Sequence, residues 1–160
     1  MTEASEPELS PIVQKLIAWG PRAVDESSEF RGEVTVVVPR EHMLRACQYL
    51  RDEPGLEFGL LSDVSAVDRF PMEPRFELNY HLVSISLRHV LRLRVRVHGG
   101  PTPEAPSVTS IWPTADWHER EIFDLFGVRF EGHPDLRRIL LPEELDGYPL
   151  RKDYPVEGPR

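Results

Sequence analysis

Residues 91–97 alternate without interruption between apolar and basic side chains and read Leu-Arg-Leu-Arg-Val-Arg-Val. Successive side chains of a β-strand point to opposite faces, so this stretch has one apolar face and one charged face. The apolar face has to be covered by other parts of the chain, whereas the charged face presents Arg92, Arg94 and Arg96. The sequence therefore predicts a sheet that is covered on one side. The arginine row fits either a solvated face or contact with an acidic partner.

Other periodic segments supply the remaining elements of the predicted fold. Helices are predicted between Ser10 and Gly20, Glu41 and Arg51, and Thr114 and Gly127. Strands are predicted over residues 33–38, 58–67, 76–87 and 91–97, and loops over residues 25–32 and 99–107. The third strand changes its alternation phase, which predicts a bulge or bend. The order of segments indicates an α+β fold, with helices packed on one face of a mostly antiparallel four-stranded sheet.

Composition excludes several classes of function. The 160 residues suffice for one domain with a core. No run approaches the roughly 18 apolar residues of a membrane span. The single cysteine, Cys47, allows neither an internal disulfide nor a cysteine-ligated cluster, and we expect it to pack in a helix as a small hydrophobe. A net charge of −8 argues against nucleic acid and anionic lipid as direct partners.

The last predicted helix combines an apolar stripe with a high density of charge. Thr114 is expected to cap its N-terminus and Gly127 to end it in a left-handed conformation. The stripe that we expect to anchor the helix on the sheet consists of Trp117, Ile122, Leu125 and Phe126. Arg120 and Asp124 are four residues apart and can pair on the helix surface. The other carboxylates lack an evident cation, which suggests docking against something basic.

Periodicity disappears after Val128, although apolar residues remain frequent. Repeated prolines exclude a long helix or a central strand there. We therefore predict an extended arm whose apolar side chains lie either on the chain's own sheet or on a second protein. The predicted organisation is a disordered N-terminus (1–9), an α+β domain (10–127) and an extended partner-binding arm (128–160).

No reaction centre is evident in the sequence. A helix that binds zinc needs a second histidine one turn after His118-Glu119, and none is present. No glycine-rich phosphate loop follows any predicted strand. A metal site could form only if a loop brought together four separated side chains. These are His118, Glu121, Asp124 and His133.

Four motifs in the last third of the chain resemble a known family. They are Glu119-Arg120-Glu121, Asp124-Leu125-Phe126-Gly127, the run 132–140 (Gly-His-Pro-Asp-Leu-Arg-Arg-Ile-Leu) and the run 149–155 (Pro-Leu-Arg-Lys-Asp-Tyr-Pro). Together they strongly resemble the C subunit, or 30 kDa subunit, of proton-translocating NADH–quinone oxidoreductase, respiratory complex I. The resemblance is dense from residue 117 to residue 155. Tyr148 is a departure, because bacterial relatives often carry histidine there.

The resemblance implies a non-catalytic, cofactor-free subunit of the peripheral arm of a proton-pumping translocase. FMN, the iron–sulfur clusters and quinone would be bound by other subunits of the complex. The implied partners are chiefly two neighbours: the D subunit, which forms much of the quinone cavity, and the B subunit, which carries the terminal iron–sulfur cluster. The implied location is the cytoplasmic face of the bacterial inner membrane, reached only through partners.

The resemblance also predicts which residues contact those partners. They are Glu119, Arg120, Glu121, Asp124, His133, Asp135, Arg137, Arg138, Arg151, Lys152 and Asp153. The acidic members are expected to accept hydrogen bonds from arginines, either Arg137 and Arg138 or cations of the D subunit. Two alternatives remain open. One is the equivalent subunit of a ferredoxin-, deazaflavin- or hydrogenase-linked relative of complex I, and the other is a stand-alone metalloenzyme that uses the four side chains named above.

Overall fold

The computed structural model describes residues 9–158, so the predicted disordered N-terminus lies outside the described residues except for Leu9. The helices are α1 (Pro11–Trp19), α2 (Met43–Asp52, preceded by a 3-10 turn at Arg40–His42) and α3 (Ala115–Phe126). The strands are β1 (Glu26–Phe30), β2 (Glu33–Val37), β3 (Leu60–Asp68), β4 (Phe76–Ser84), β5 (His89–Val97), β6 (Glu104–Pro106) and β7 (Arg129–Glu131). None of these helices is long and apolar enough to cross a lipid bilayer.

The main sheet has five strands in the order β1-β2-β5-β4-β3, and its neighbours are antiparallel except for β2 and β5. The predicted α+β class is therefore confirmed, with five strands instead of four. The prediction missed β1, which we expected to be a loop, because residues 26–30 are exposed throughout and carry no apolar alternation. The predicted loop 99–107 likewise contains β6, which pairs in parallel with β7.

The bulge predicted in β4 is wrong. The pairing of β4 with β5 is regular from Phe76 to Ser84, and the strand ends there, so Ile85 belongs to the turn that leads to β5. The irregularity lies instead in the neighbouring strand, between Leu61 and Asp63 of β3. The apolar residues Ile85 and Leu87 belong to the turn, and reading them as part of the strand gave the apparent change of alternation phase.

One face of the main sheet packs under the helices and forms the core. Alternate residues of β4 and β5 are buried there, together with the apolar faces of α1 and α2. The indole Nε1 of Trp112 donates to the carbonyl of Phe58 at 3.0 Å within this core. Cys47 is fully buried on α2, as predicted, and burial raises the pKa of its thiol to about 12.

The opposite face of the sheet is neutralised by the chain itself. Arg92 donates to Glu33 at 2.8 Å, and Arg96 donates to Glu26 at 2.7 Å. Arg94 donates to the side chain of Asn79 at 2.9 Å and lies 3.6 Å from Glu77. The positive charges of the arginine row are therefore balanced by carboxylates of the neighbouring strands, and this balance requires no acidic partner.

Helix α3 differs from its prediction in the side chains that it buries. Gly127 ends the helix in the left-handed conformation, with φ 73°, as predicted. Thr114 does not cap the helix; its hydroxyl donates to the carbonyl of Leu61 at 3.3 Å. Trp117 is 64% exposed, so its predicted role as an anchor is wrong, whereas Ile122 is buried against the core. The helix buries a face that includes charged side chains, which a hydrophobic stripe does not reveal.

This difference between Ile122 and Trp117 can be tested by truncation. We expect Ile122→Ala to lower the free energy of unfolding by about 2–4 kcal/mol, because the substitution leaves a cavity in the core. Trp117→Ala should cost less than about 1 kcal/mol, because most of the indole is already in water. Urea unfolding of both variants measures the difference. Equal losses would contradict the placement of α3.

Candidate functional site

The candidate site is the tail that follows α3. Its first residues belong to the core, because Val128 and Phe130 are buried and β7 pairs with β6. The division between domain and arm predicted at residue 127 therefore falls, in the structure, after Glu131. Residues 132–158, here called the strap, have no further helix or strand and run along α3 from its first turn to its last. Their contacts with the helix hold them on the chain's own surface.

The strap begins beside the first turns of α3. The Nε2 atom of His133 lies 3.1 Å from Oδ1 of Asp116, and the backbone N–H of Asp135 donates to Nδ1 of the same imidazole at 3.0 Å. One turn later the Nε of Arg120 donates to the carbonyl of Arg137 at 3.1 Å. The guanidinium of Arg120 also lies over the ring of Trp117, 5.1 Å from its centre. Asp116, Arg120 and Asp124 are spaced four apart, so one face of the helix receives the strap.

The centre of the attachment is the fully buried carboxylate of Asp124. Its Oδ2 accepts hydrogen bonds from three consecutive backbone N–H groups, those of residues 139–141, at 3.1, 2.7 and 3.0 Å. The Nε of Arg138 lies 3.6 Å from the other oxygen. Hydrogen bonds to an ionised acceptor are stronger than those between neutral groups. The negative charge of Asp124 is therefore compensated within the chain and is not free for a second protein.

Beyond this point Tyr148 packs over the end of α3. The guanidinium groups of Arg138 and Arg151 lie over its ring, 5.3 and 4.8 Å from the ring centre. Arg151 donates through Nε to the carbonyl of Phe126 at 2.6 Å, which satisfies an acceptor at the helix C-terminus. A Cβ at Gly127 would collide with the Tyr148 ring. Gly127 is thus required both for its positive φ and for the close approach of Tyr148.

The far end of the strap is held by a partly buried ionic cluster at the edge of the sheet, in which Asp68 is buried and Asp153 is exposed. Arg75 donates to both oxygens of Asp68, at 2.9 and 2.8 Å, and to both oxygens of Asp153, at 3.1 and 2.8 Å. The backbone N–H of Lys152 also donates to Asp68 at 2.8 Å. Burial raises the pKa of Asp68, but the hydrogen bonds from Arg75, Lys152 and Phe70 outweigh that effect and hold the pKa at about 2. Two bidentate contacts on one guanidinium fix the position of residue 153.

Glu119 has a different role from the one predicted. Its side chain is fully buried and accepts from the hydroxyl of Ser107 and the backbone N–H of Val108, both at 2.7 Å. Burial raises its pKa to about 7 in spite of these two hydrogen bonds. The arginine partner predicted for Glu119 is therefore wrong. The carboxylate fixes the segment after β6 to α3 instead.

Most of the residues predicted to bind partners make contacts inside the chain. The predicted pair of Arg120 with Asp124 does not form, because each of the two contacts the strap. Asp135 and Arg137 pair with each other at 2.9 Å on the surface. Those engaged within the chain are Glu119, Arg120, Asp124, His133, Asp135, Arg137, Arg138, Arg151 and Asp153. Glu121 and the side chain of Lys152 are exposed and make no such contact within residues 9–158.

Sequence reasoning missed the residues that receive the strap from the sheet side. Asp68 and Arg75 lie about 80 residues before their strap partners, and no local spacing links them. Asp116, which contacts His133, is likewise outside the set of residues predicted to bind partners. In each case the pairing depends on the path of the strap, which periodicity does not encode.

The four side chains of the alternative metal site are not brought together. His118 Nδ1 lies 3.5 Å from Asp63, whereas His133 faces Asp116 and Asp124 faces the strap. In the part of the chain that the structure describes, no three His, Cys, Asp or Glu side chains are grouped as metal ligands would be. The geometry thus gives the metalloenzyme alternative no support.

Three large apolar side chains on α3 and the strap remain exposed among the charged residues of this surface. Trp117, Leu140 and Leu150 are 64%, 59% and 51% exposed. Trp117 lies in the first turn of α3. The backbone N–H of Leu140 donates to Asp124, and that of Leu150 donates to the carbonyl of Leu125 near the helix end. We call these three residues the strap surface. Large apolar groups that rigid backbone holds in water are typical of protein–protein interfaces.

Comparison with known proteins identifies relatives that match most of the chain. Residues 36–160 match the family described as respiratory-chain NADH dehydrogenase, 30 Kd subunit. The chain is 46% identical over 136 residues to the C 2 subunit of NADH-quinone oxidoreductase from Rhizobium meliloti (strain 1021), and the match covers 85% of this chain and 74% of that relative.

Two solved structures share the fold. One is a trypsin-resistant fragment (1-134) of Nqo5, with a TM-score of 0.67, 31% identity and coverage of 78% of this chain and 96% of that one. The other is a chain of the membrane-bound sulfane sulfur reductase, an archaeal respiratory membrane complex, with a TM-score of 0.74 and 28% identity. The second match covers 91% of this chain and 84% of that one.

The importance of Asp124 for the strap can be tested directly. We expect Asp124→Ala to lower the free energy of unfolding by about 2–4 kcal/mol, because three backbone N–H groups and Arg138 lose their acceptor. Trypsin should then cleave after Arg137 and Arg138 faster than in the unchanged protein. Glu121→Ala, on the exposed side of the same helix, should stay within about 0.5 kcal/mol. Unchanged cleavage in Asp124→Ala would contradict the attachment.

Glu119 predicts a specific dependence of stability on pH. Its pKa rises from 4.5 in the unfolded chain to about 7 in the folded one, so the folded state binds the proton more tightly. The stabilisation of the folded state by protonated Glu119 is fully present below pH 4.5 and is lost as the pH rises through about 7. As the pH rises from 5 to 8, we expect the ionisation of Glu119 to lower the free energy of unfolding by on the order of 2 kcal/mol.

Glu119→Gln should flatten that part of the stability curve and should be more stable than the unchanged protein at about pH 8, because the amide keeps a carbonyl acceptor for Val108 and carries no charge. Denaturant unfolding over this pH range measures both effects. Glu121→Gln is the matched control and should keep the original slope. An unchanged slope in Glu119→Gln would refute the assignment.

Proposed function

Because this chain belongs to the family of the respiratory-chain NADH dehydrogenase 30 Kd subunit, we propose that it is a non-catalytic subunit of the peripheral arm of a proton-translocating NADH–quinone oxidoreductase. In this proposal the chain supports electron transfer from NADH to quinone by holding neighbouring subunits in position. The observation that carries the proposal is the strap surface, three exposed large apolar side chains along α3, in a chain that matches the C subunits of such enzymes over most of its length.

A supporting role agrees with the way the chain uses its polar groups. The carboxylates of Asp124, Asp68 and Asp153 accept hydrogen bonds from backbone N–H groups or from Arg75. Such groups fix the backbone in one conformation, and a preorganised surface loses less entropy when a partner binds. The strap is in our proposal a rigid docking element attached to the domain.

We also propose that FMN, the iron–sulfur clusters and quinone are bound by other subunits. Iron–sulfur clusters are held by cysteine thiolates. The single cysteine of this chain is buried in α2, and its thiol pKa of about 12 disfavours a thiolate. Electron carriers would then lie in the neighbours that the strap surface contacts.

The proposed neighbours are the D subunit, which forms much of the quinone cavity in this family, and the B subunit, which carries the terminal iron–sulfur cluster. Among the predicted contact residues, Glu121 and Lys152 are the two whose charges the strap leaves available. We propose that they form polar contacts at the rim of the apolar strap surface. Through these partners the chain would be peripheral to the cytoplasmic face of the bacterial inner membrane.

A second candidate follows from the archaeal respiratory membrane complex. That chain superposes over more of this one than the Nqo5 fragment does, 91% against 78%. The same fold therefore serves in a complex that is named a sulfane sulfur reductase. We accordingly keep open a related complex with an electron donor other than NADH. Identification of an NADH-binding flavoprotein among the polypeptides that co-purify with this chain would separate the two candidates.

The strap surface can be tested in the assembled complex. We expect Trp117→Ser with Leu140→Ser to reduce co-purification of the D and B subunits with the tagged chain by about tenfold, because two exposed apolar contacts are lost. The folded chain itself should keep its stability within about 1 kcal/mol. Val156→Ser, which also changes an exposed apolar residue, is the control and should retain both neighbours. Full retention by the double variant would refute the proposed surface.

A further inference from the structure

A second apolar surface lies on the face of the main sheet opposite the helices. Phe30 pairs with Glu33, Leu60 pairs with Val83, and Val83 pairs with Val90. Glu33 stands one residue before the Val34–Leu91 pair and so lies beside Val90. The last row of this face therefore crosses all five strands and is apolar except at Glu33. Ile85 follows Val83 by two residues and lies in the turn between β4 and β5.

Three side chains of this row are exposed to solvent over about half of their surface or more. Phe30 and Ile85 are 72% and 73% exposed, and Val90 is 49% exposed. Elsewhere on this face the arginines of β5 are paired with carboxylates of neighbouring strands, and the side chain of Val67, 46% exposed, stands opposite Glu77. The face is thus divided into a self-neutralised part and an apolar end. Contiguous exposed apolar groups with a polar border mark a site of interaction.

Two arginines border the apolar end and lack a carboxylate. Arg31, in the turn after β1, lies over the Phe30 ring at 5.2 Å, and Arg88 stands at the end of the β4–β5 turn. Neither makes an ion pair with any carboxylate of residues 9–158. The chain has a net charge of −8 and the three arginines of β5 are paired, so two arginines without a carboxylate among residues 9–158 are a distinct feature beside the apolar row.

We propose that the row, consisting of Phe30, Leu60, Val83, Ile85 and Val90, is a second docking surface, which binds an apolar segment of another protein that carries carboxylates opposite Arg31 and Arg88. Opposite charges at the rim of an apolar contact fix its register and partner. This surface is separate from the strap surface. The chain therefore bridges two neighbours, one on α3 and one on the outer face of the sheet.

A protein segment fits these observations better than a lipid surface or a second copy. Recognition of anionic headgroups commonly uses clusters of about four to eight basic residues, whereas this border offers two on an acidic chain. A second copy would bring the same arginines to the contact and would repel through its net charge of −8. An apolar segment that carries carboxylates can pack on the row and pair with Arg31 and Arg88.

The test uses a photo-cross-linker in the assembled complex. Ile85→p-benzoylphenylalanine is introduced into the full chain, the complex is purified through a different subunit, and the cross-linked peptide is identified by mass spectrometry. We expect one defined peptide of another subunit, with Asp or Glu near the attached residue. Adding Arg31→Glu and Arg88→Glu should reduce this product about tenfold, whereas Arg31→Lys and Arg88→Lys should largely keep it.

Matched positions make the outcome decisive. The same cross-linker at Ser65, exposed on the polar part of this face, should give no defined product. At Leu140 it reports on the strap surface, so loss of the Leu140 product tests the proposed function, and loss of the Ile85 product alone overturns the second surface. Cross-linking of Ile85 to lipid, to a second copy of this chain or to no protein would also overturn it.

Discussion

The carboxylate of Asp124 is the interaction on which the position of the strap depends. It lies in the third turn of α3 and accepts three consecutive backbone N–H groups, those of residues 139–141. A segment without helix or strand has no regular partners for its backbone, so a buried acceptor at its centre decides where it lies. Arg120 before this point and Tyr148 after it extend the attachment in both directions along the helix.

The charged motifs of the last third of the chain are therefore structural before they are functional. Asp124, Arg138, Arg151 and Asp153 organise the strap, and three large apolar side chains remain exposed along it. This division explains how a proline-rich segment without helix or strand can follow one specified path. The polar side chains specify the backbone path, and the path presents Trp117, Leu140 and Leu150 at fixed positions.

The outer face of the sheet follows the same logic. Each arginine of β5 contacts or approaches a carboxylate or amide of a neighbouring strand, so that face is balanced within the chain except at one end. Arg31 and Arg88, which have no ion pair with a carboxylate of residues 9–158, stand beside the apolar row. The arginines of β5 are thus neutralised by groups of this chain, whereas Arg31 and Arg88 are not neutralised by any carboxylate of residues 9–158.

Residue patterns alone determined the class of fold, most of its helices and strands, and the family, because periodicity and short motifs depend on neighbours within a few turns. They gave α2, the alternation of β5 and the Gly127 stop correctly. The tertiary structure alone decided that β1 is a strand, that Glu119 is buried and that Arg75 binds Asp153. Those outcomes depend on contacts between segments far apart in the chain, and such contacts leave no local period to read.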